Sequence, residues 1–441
     1  MCEQIRTVNV GVIGLGTVGG GTVRLLNKQR EEYKRAYGMD ARVARGCSLD
    51  EAAAAELGLT GDAFTSDWHD ITSDPSIDIV VELIGGEHPA TEIMLDAFAH
   101  GKHVVSANKA LLGKEMERLA GEARAAGVQL RCEASCGGGI PIIDALERGL
   151  AGNDMLALAG IVNGTTNYIL SRMDAEGLGF DEVLADAQRL GYAEADPTAD
   201  VDGLDAAAKI AILSSIAFHT RVMSADVDCQ GIRAVSAGDI SWAREHDMAV
   251  KLLAVGRKTN GRVEARVQPA MIPAGHMLAS VNGAMNAVFA VGDAVGETMF
   301  YGAGAGSFPT ASAVVSDVLA IARPLSQGRV VEEEAEPYAK TLPVATTEDM
   351  TGRYYVRVPL HGDADADVQS AVRAAFEEHG VGIESIQQGS AGDLVILTEQ
   401  TSPSKLRLLC DVLRGREMAA SAVSIIRIED TAAWSEGAEK N

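Results

Sequence analysis

The chain has 441 residues, enough for two to four domains at about 100–200 residues each. Apolar residues make up 47% and charged residues 23%, the balance of a globular protein rather than a disordered one. Lys and Arg total 38 against 62 Asp and Glu, a net charge of −24 that repels nucleic-acid phosphates and anionic membranes; aromatic content of 4% offers few base-stacking platforms. No apolar run reaches the ~18 residues of a membrane helix, and the start Met1-Cys2-Glu3-Gln4-Ile5-Arg6 lacks the pattern of a signal peptide. Cys2, Cys47, Cys132, Cys136, Cys229 and Cys410 are too few and scattered for a disulfide scaffold. They read as reduced thiols of a cytoplasmic protein.

The first segment, 1–138, alternates strand and helix signals. Strands are predicted over 8–13, 42–44, 77–84 and 103–106, with helices over 17–35, 49–57, 90–99 and 113–126. That alternation predicts a parallel, doubly wound sheet. The second segment, 139–325, mixes long helices with apolar strands at 155–162 and 251–255. Residues 326–352 carry Glu332-Glu333-Glu334, Pro337 and Pro343 and read as a partly irregular linker. The third segment, 353–431, reads strand, helix, strand, strand, helix, strand: strands at 354–358, 381–387, 394–398 and 422–428, helices at 367–379 and 402–413. This is a ferredoxin-like order. The tail, 431–441, is expected to fray.

Directly after the first strand comes Ile13-Gly14-Leu15-Gly16-Thr17-Val18-Gly19, a G-x-G-x-x-G loop that opens a helix. In that context the glycines do separate work. Gly14 allows the tight turn, Gly16 lets a pyrophosphate reach helix N–H groups, and Gly19 allows close helix packing. NAD readers usually place an acid at the end of the second strand. Here the region is Ala44-Arg45-Gly46-Cys47-Ser48, with no acid at its tip. Arg45 either faces a 2′-phosphate, favouring NADP modestly, or is a solvated side chain, and Asp50 lies close by.

Asp205 and Lys209 stand four residues apart in an apolar, helix-forming run from 204 to 218, so they share one face. Neighbours Ile210, Ala211, Ile212 and Leu213 are apolar nearly all round, which marks a mostly buried helix. A buried lysine with a carboxylate partner is a candidate proton donor.

Several long stretches, in order, resemble the homoserine dehydrogenase family over nearly the whole chain. They are the dinucleotide loop, Ser106-Ala107-Asn108-Lys109-Ala110, residues 133–141, Asn163-Gly164-Thr165-Thr166-Asn167-Tyr168-Ile169-Leu170, residues 191–209, and Tyr301-Gly302-Ala303-Gly304-Ala305-Gly306 with the following 309–314. The resemblance implies NAD(P)-linked interconversion of L-homoserine and L-aspartate 4-semialdehyde, on the way to threonine, methionine and isoleucine. It makes Lys209 the proton donor, with Asp205 beside it and Lys109 as a second active-site lysine near nicotinamide and substrate. Glu194 takes the substrate amino group, and Gly164, Thr165, Tyr192 and Asp200 belong to the substrate pocket. Gly302 returns to the cofactor, unless its loop is only a helix entry turn. The stretch Glu133-Ala134-Ser135-Cys136-Gly137-Gly138-Gly139-Ile140-Pro141 resembles the family's monovalent-cation loop, taking Na+ through Glu133, Cys136, Gly138 and Ile140, mostly by carbonyls. Its alternative is a structural glycine turn.

The third segment resembles an ACT domain, an amino-acid-sensing module. Its loop His361-Gly362-Asp363-Ala364-Asp365-Ala366-Asp367 lacks the usual Pro-Gly, so weak or absent threonine inhibition is expected. The resemblance further implies a homodimer or homotetramer, with a small-molecule substrate and an amino-acid effector. No aspartate kinase is expected in the chain, since no kinase-sized segment precedes residue 1. Residues 353–431 are expected to be separable, so that a chain cut near Val344 keeps activity if it stays soluble and dimeric. Two alternatives are another Rossmann amino-acid dehydrogenase and a non-catalytic amino-acid sensor. The first would need a different lysine–carboxylate set and is disfavoured by the Asn163 and Tyr301 stretches, the second by the joint presence of Lys109, Glu194, Asp205 and Lys209.

Overall fold

The computed structural model describes residues 5–331, 338–361, 366–389, 392–416 and 418–436. The chain begins with β1 (Thr7–Ile13), α1 (Thr17–Tyr37), β2 (Asp40–Cys47), α2 (Glu51–Glu56), β3 (Phe64–Thr65), α3 (His69–Thr72), β4 (Ile79–Glu82), α4 (Ala90–Ala99), β5 (His103–Ser106), α5 (Lys109–Ala125), β6 (Leu130–Arg131) and α6 (Ile142–Asp144). All four residues of β4 are buried, as strands covered on both faces must be. α1 stops at Gly38, whose left-handed φ of 65° turns its N–H back onto the Lys34 carbonyl. The six strands pair in parallel in the order β3-β2-β1-β4-β5-β6. The winding therefore reverses between β1 and β4, where a doubly wound sheet opens a ligand crevice.

Next come β7 (Met155–Ile161), α7 (Gly164–Glu176), α8 (Phe180–Leu190), α9 (Thr198–Val201), α10 (Leu204–Phe218), β8 (Asp228–Cys229), α11 (Ala237–Glu245), β9 (Met248–Thr259), β10 (Arg262–Pro273), β11 (Met285–Gly292), β12 (Gly296–Ala303) and α12 (Ser307–Ser326). β13 (Arg353–Val358), α13 (Ala366–Glu378), β14 (Ile383–Gln388), β15 (Leu394–Thr398), α14 (Pro403–Gly415) and β16 (Ser424–Ile428) follow. β9 and β10 form a long hairpin closed by Asn260 and Gly261, both at positive φ, the two-residue turn that matches strand twist. Of this hairpin the sequence pattern predicts only 251–255.

The chain divides into two compact units. The first comprises 1–152, 211–224 and 300–341; the second comprises 153–210, 225–299 and 342–441. The segments at 139–325 and 326–352 are thus shared between units. In the first, Val8, Val10, Val12, Val23 and Leu26 share a core with Val314, Val318 and Ile321 of α12. A Cβ at Gly21 would lie 2.7 Å from Ser307 Oγ, so α1 and α12 meet backbone to backbone there.

The second unit holds a mixed sheet ordered β12-β11-β7-β9-β10-β16-β13-β15-β14, with β8 beside β10. Residues 353–431 have the predicted ferredoxin-like connectivity, with strand order β16-β13-β15-β14. A shared sheet stands against their expected separability. β16 pairs in parallel with β10, Ala270 with Arg427 and Met271 with Ile428, so one sheet runs through both parts. Buried charges tie the same junction: Arg266 meets Glu264 at 2.7 Å and Glu429 at 2.6 Å, and Arg357 meets Asp239 at 2.7 Å. Burial alone would raise the Glu264 carboxyl, but Arg266, Arg257 and Arg427 hold it near 2.

The described residues of 327–352 carry no helix or strand. Residues 332–337 lie outside the described residues, but Val344 bridges to Val263, and Ala345 N–H donates to the Val263 carbonyl. For residues 431–436 the expectation of a frayed tail is overturned. Thr431–Ser435 forms a 3-10 turn whose Trp434 is 1% exposed, packed edge-on to His276 and against Phe289. Residues 437–441 lie outside the described residues. No helix among the described residues is long and apolar enough to cross a membrane.

Candidate active site

In the first unit, β1 delivers buried Ile13 to the glycine loop. Gly14 has φ 96°, and a Cβ there would stand 2.7 Å from the Leu83 carbonyl carbon. A Cβ at Gly19 would fall 1.9 Å from Gly14 O, so only glycine lets α1 close on the loop. Gly16 caps α1 without a side-chain bond and faces open space, and the first turn carries no acid. Thr17 and Val18 thus begin a 21-residue helix whose positive end is clear, which fits a dinucleotide pyrophosphate. Ser307 Oγ donates to Thr17 O at 2.7 Å, placing the start of α12 against the same helix end. Lys109 is exposed as the first residue of α5, whose N-cap Asn108 accepts from Leu111 N.

Arg45 requires a correction. It lies inside β2, two residues short of the strand end, and donates to the carbonyls of Asp62 and Asp70, each at 2.9 Å. Asp74 stands 3.7 Å from the same guanidinium. Two of its N–H donors are engaged within the protein and a carboxylate stands beside it, which weakens its support as a 2′-phosphate reader. Asp50 is committed as well, since its carboxylate caps α2 through Ala53 N–H.

The 133–140 loop curls through Gly137 and Gly138, at φ 71° and 56°. Gly139 N–H donates to Ala303 O, and a Cβ at Gly302 would lie 3.2 Å from Ile140 Cγ1. The loops holding Cys136, Gly138, Ile140 and Gly302 are therefore neighbours within this unit. The Glu133 carboxylate is buried and accepts the N–H groups of Ile143 and Asp144 at 2.8 and 2.7 Å. Burial pushes its carboxyl up to about 7, against the pull of those two amides. Its side chain is thus occupied, and the Ile140 carbonyl accepts Ile142 N–H. Any cation here would have to rely on neutral carbonyl oxygens, a hard donor set that suits an alkali ion better than a transition metal. Among the described residues no His, Cys, Asp and Glu group has the arrangement of a metal site.

The second unit carries a different cluster. Asp205 and Lys209 are buried one turn apart on α10, with Nζ 2.7 Å from Oδ2. Lys209 Nζ also donates to Val162 O at 2.7 Å. The Asn163 amide, unmarked in the sequence reading as a site residue, donates to Asp205 Oδ2 at 2.9 Å and to Asp200 Oδ1 at 2.7 Å. Its own oxygen caps α7 by accepting Thr166 N–H. The one available signal was its place directly before the Gly164 helix start. One amide thus bridges two carboxylates, and the ammonium joins them through Asp205.

Adjacent in chain, Thr165 Oγ1 donates to Tyr192 O at 2.8 Å, and the Tyr192 ring stacks on Tyr168 at 4.3 Å. Gly164 lies so near Ala284 that a Cβ would come within 2.9 Å of its carbonyl oxygen. Glu194 is exposed two residues beyond Tyr192, with Gln188 Nε2 donating to its carbonyl at 3.0 Å. The structure therefore brings Asp200, Asp205 and Lys209 together, and joins Gly164, Thr165 and Tyr192 to them through Asn163. Such a cluster can hold and move a proton beside a polar substrate.

Two family models match the chain: "Homoserine dehydrogenase" over residues 141–319 and "Homoserine dehydrogenase, NAD binding domain" over 14–133. A homoserine dehydrogenase of Synechocystis sp. is 42% identical, with 96% of this chain and 99% of that protein covered. That of Bacillus subtilis is 36% identical over 98% and 100%. The crystal structure of a homoserine dehydrogenase from Thiobacillus denitrificans superposes with a TM-score of 0.88 at 40% identity, covering 97% of this chain and 99% of that one. A hyperthermophilic archaeal homoserine dehydrogenase mutant, solved in complex with NADPH, matches at 25% identity and a TM-score of 0.61 over 72% of this chain and 98% of its own. A glycine loop built for a dinucleotide, a buried lysine–carboxylate cluster and near-full-length likeness converge: the chain belongs to the homoserine dehydrogenase family of oxidoreductases.

Proposed function

We propose that the protein interconverts L-homoserine and L-aspartate 4-semialdehyde, a step towards threonine, methionine and isoleucine. The reading rests above all on the buried Lys209–Asp205 pair bridged by Asn163 to Asp200. A bound nicotinamide dinucleotide supplies or accepts the hydride. Lys209 gives its proton to the aldehyde oxygen as that carbon is reduced, and takes it back from the hydroxyl in the reverse direction. Asp205 aims the lysine, and Lys109 adds positive charge to stabilise the developing alkoxide. Glu194 grips the substrate ammonium, with Thr165, Gly164 and Tyr192 shaping its surroundings.

Ile13, Gly14, Gly16, Thr17, Val18 and Gly19, with Gly302, form our proposed cofactor site. Either cofactor serves, with NADP modestly favoured. The support is now the lack of an uncommitted carboxylate at the end of β2, since Asp50 caps α2. The carbonyls of Glu133, Cys136, Gly138 and Ile140 are our candidates for holding Na+. We place the enzyme in the cytoplasm, as its six cysteines are too few and scattered for a disulfide scaffold, and read it as a homodimer or homotetramer. Residues 353–431 we take as an ACT-like module for an amino-acid effector, with weak or absent threonine inhibition. Of its loop, residues 362–365 lie outside the described residues.

The test is an assay of the purified full chain with L-homoserine and each cofactor, following reduced nicotinamide. Homoserine oxidation with both cofactors is expected. No turnover with either would sink the reading. Glu194→Ala should raise KM for homoserine with kcat within about threefold, as loss of a grip on a non-reacting group does.

A further inference from the structure

Glu82 is fully buried at the end of β4, and the proposed chemistry makes no use of it. No Lys, Arg or His pairs with its carboxylate among the described residues. Three donors from the protein hold it instead. Oε1 accepts the N–H groups of Ile84 and Gly85 at 2.8 and 3.3 Å. Oε2 accepts the hydroxyl of Ser106, its register partner on β5, at 2.8 Å. Ser106 Oγ in turn accepts Asn108 N–H at 3.0 Å, and Asn108 Nδ2 donates to Gly86 O at 2.6 Å. A closed ring of bonds therefore links the turn after β4 to the turn that begins α5 with Lys109.

Both turns stand at the carboxyl ends of the strands beside the winding reversal, where ligands of this fold bind. Glu82 is also in register with Ile13, and Leu83 N–H donates to Ile13 O at 2.8 Å, which seats the turn against the glycine loop. Ile84 follows as a large apolar side chain that remains 45% exposed. Burying a carboxylate without a cation is expensive, and a neutral side chain could fasten a turn at lower cost. What a carboxylate adds is two acceptor oxygens that fix two turns at once and prefer short, directional bonds.

We infer that Glu82 is a positioning residue, which acts through Ser106 and Asn108 to fix the turn carrying Lys109 against the cofactor-side turn 83–86. This rests on the proposed catalytic role of Lys109. A lysine displaced by about 1 Å can cost of the order of 100-fold in rate.

The experiment uses Ser106→Ala and Glu82→Gln in the full chain, each alone and combined with Lys109→Ala. It reads kcat and KM with homoserine, NADPH binding by fluorescence, and the melting curve. Lys109→Ala should lower kcat. Ser106→Ala and Glu82→Gln should each lower kcat about 10- to 100-fold while still melting cooperatively. In the Lys109→Ala background neither should lower it further, because the position of an absent lysine no longer matters. Native kcat in Ser106→Ala, or losses that simply multiply with that of Lys109→Ala, would overturn the inference and leave the Lys109 assignment standing. Native kcat in Lys109→Ala alone would remove that assignment, and the inference with it. Should Glu82→Gln fail to fold, Ser106→Ala decides by the same criteria.

Discussion

Lys209 and Asp205 were legible in the sequence because a four-residue spacing inside an apolar helix leaves few other readings. Their burial also changes what the simplest substitution does. Lys209→Ala should lower kcat by about 100- to 10,000-fold, the range for losing a general acid. It should not leave the fold untouched, because Asp205 stays buried with the Lys209 ammonium gone and the Asn163 amide still bonded to it, a loss of up to roughly 3–5 kcal/mol. Replacing both partners, as Lys209→Met with Asp205→Asn, should restore most of the melting temperature and none of the turnover. A double variant no more stable than Lys209→Ala would show that unpaired charge is not the cause. Asn163 and Arg45 were not legible for opposite reasons. Nothing in a sequence marks that one amide bridges Asp200 and Asp205, and nothing marks that Arg45 spends its donors on the carbonyls of Asp62 and Asp70.

Long, strongly patterned elements were read closely. The runs predicted at 90–99, 103–106 and 394–398 are the observed α4, β5 and β15. The two-residue strands β3 and β6 were missed, being too short to show a period. The pairing of β10 with β16 was missed because strand patterns state which residues are buried, not which strand lies alongside. That pairing reverses the expectation for a chain cut near Val344. Such a chain would bare the edge of β10 and strip Arg266 of Glu429, so it should be largely insoluble or aggregated on gel filtration. A soluble, active truncation would contradict the continuous sheet. At the other end, Trp434→Ala should cost about 3–5 kcal/mol, the usual loss for a buried aromatic, and appear as a lower melting temperature. An unchanged melt would mean that the tail turn contributes nothing to the core.

At the scale of the whole molecule, a net charge of −24 makes any salt effect ambiguous. Every cation screens the self-repulsion of so acidic a surface, whereas only an ion that fits the 133–140 loop acts there. Activity should therefore rise when NaCl or KCl replaces choline chloride at constant ionic strength. Equal rates in all three salts would reduce that loop to a structural turn.

The docking of Trp434 has a further consequence in time. It lies against Phe289 and in the core that contains Ala157, Ala159 and Ile161 of β7, so that core includes residues made about 280 positions earlier. At roughly 5–20 residues per second, the ribosome leaves β7 waiting from about ten seconds to a minute for its last neighbour. During that interval the apolar face that Trp434 later covers is open on the nascent chain. Folding of the second unit is thus bound to finish only after residues 431–435 have been made, and a chaperone that shields β7 and β11 on the nascent chain should let go once those residues emerge.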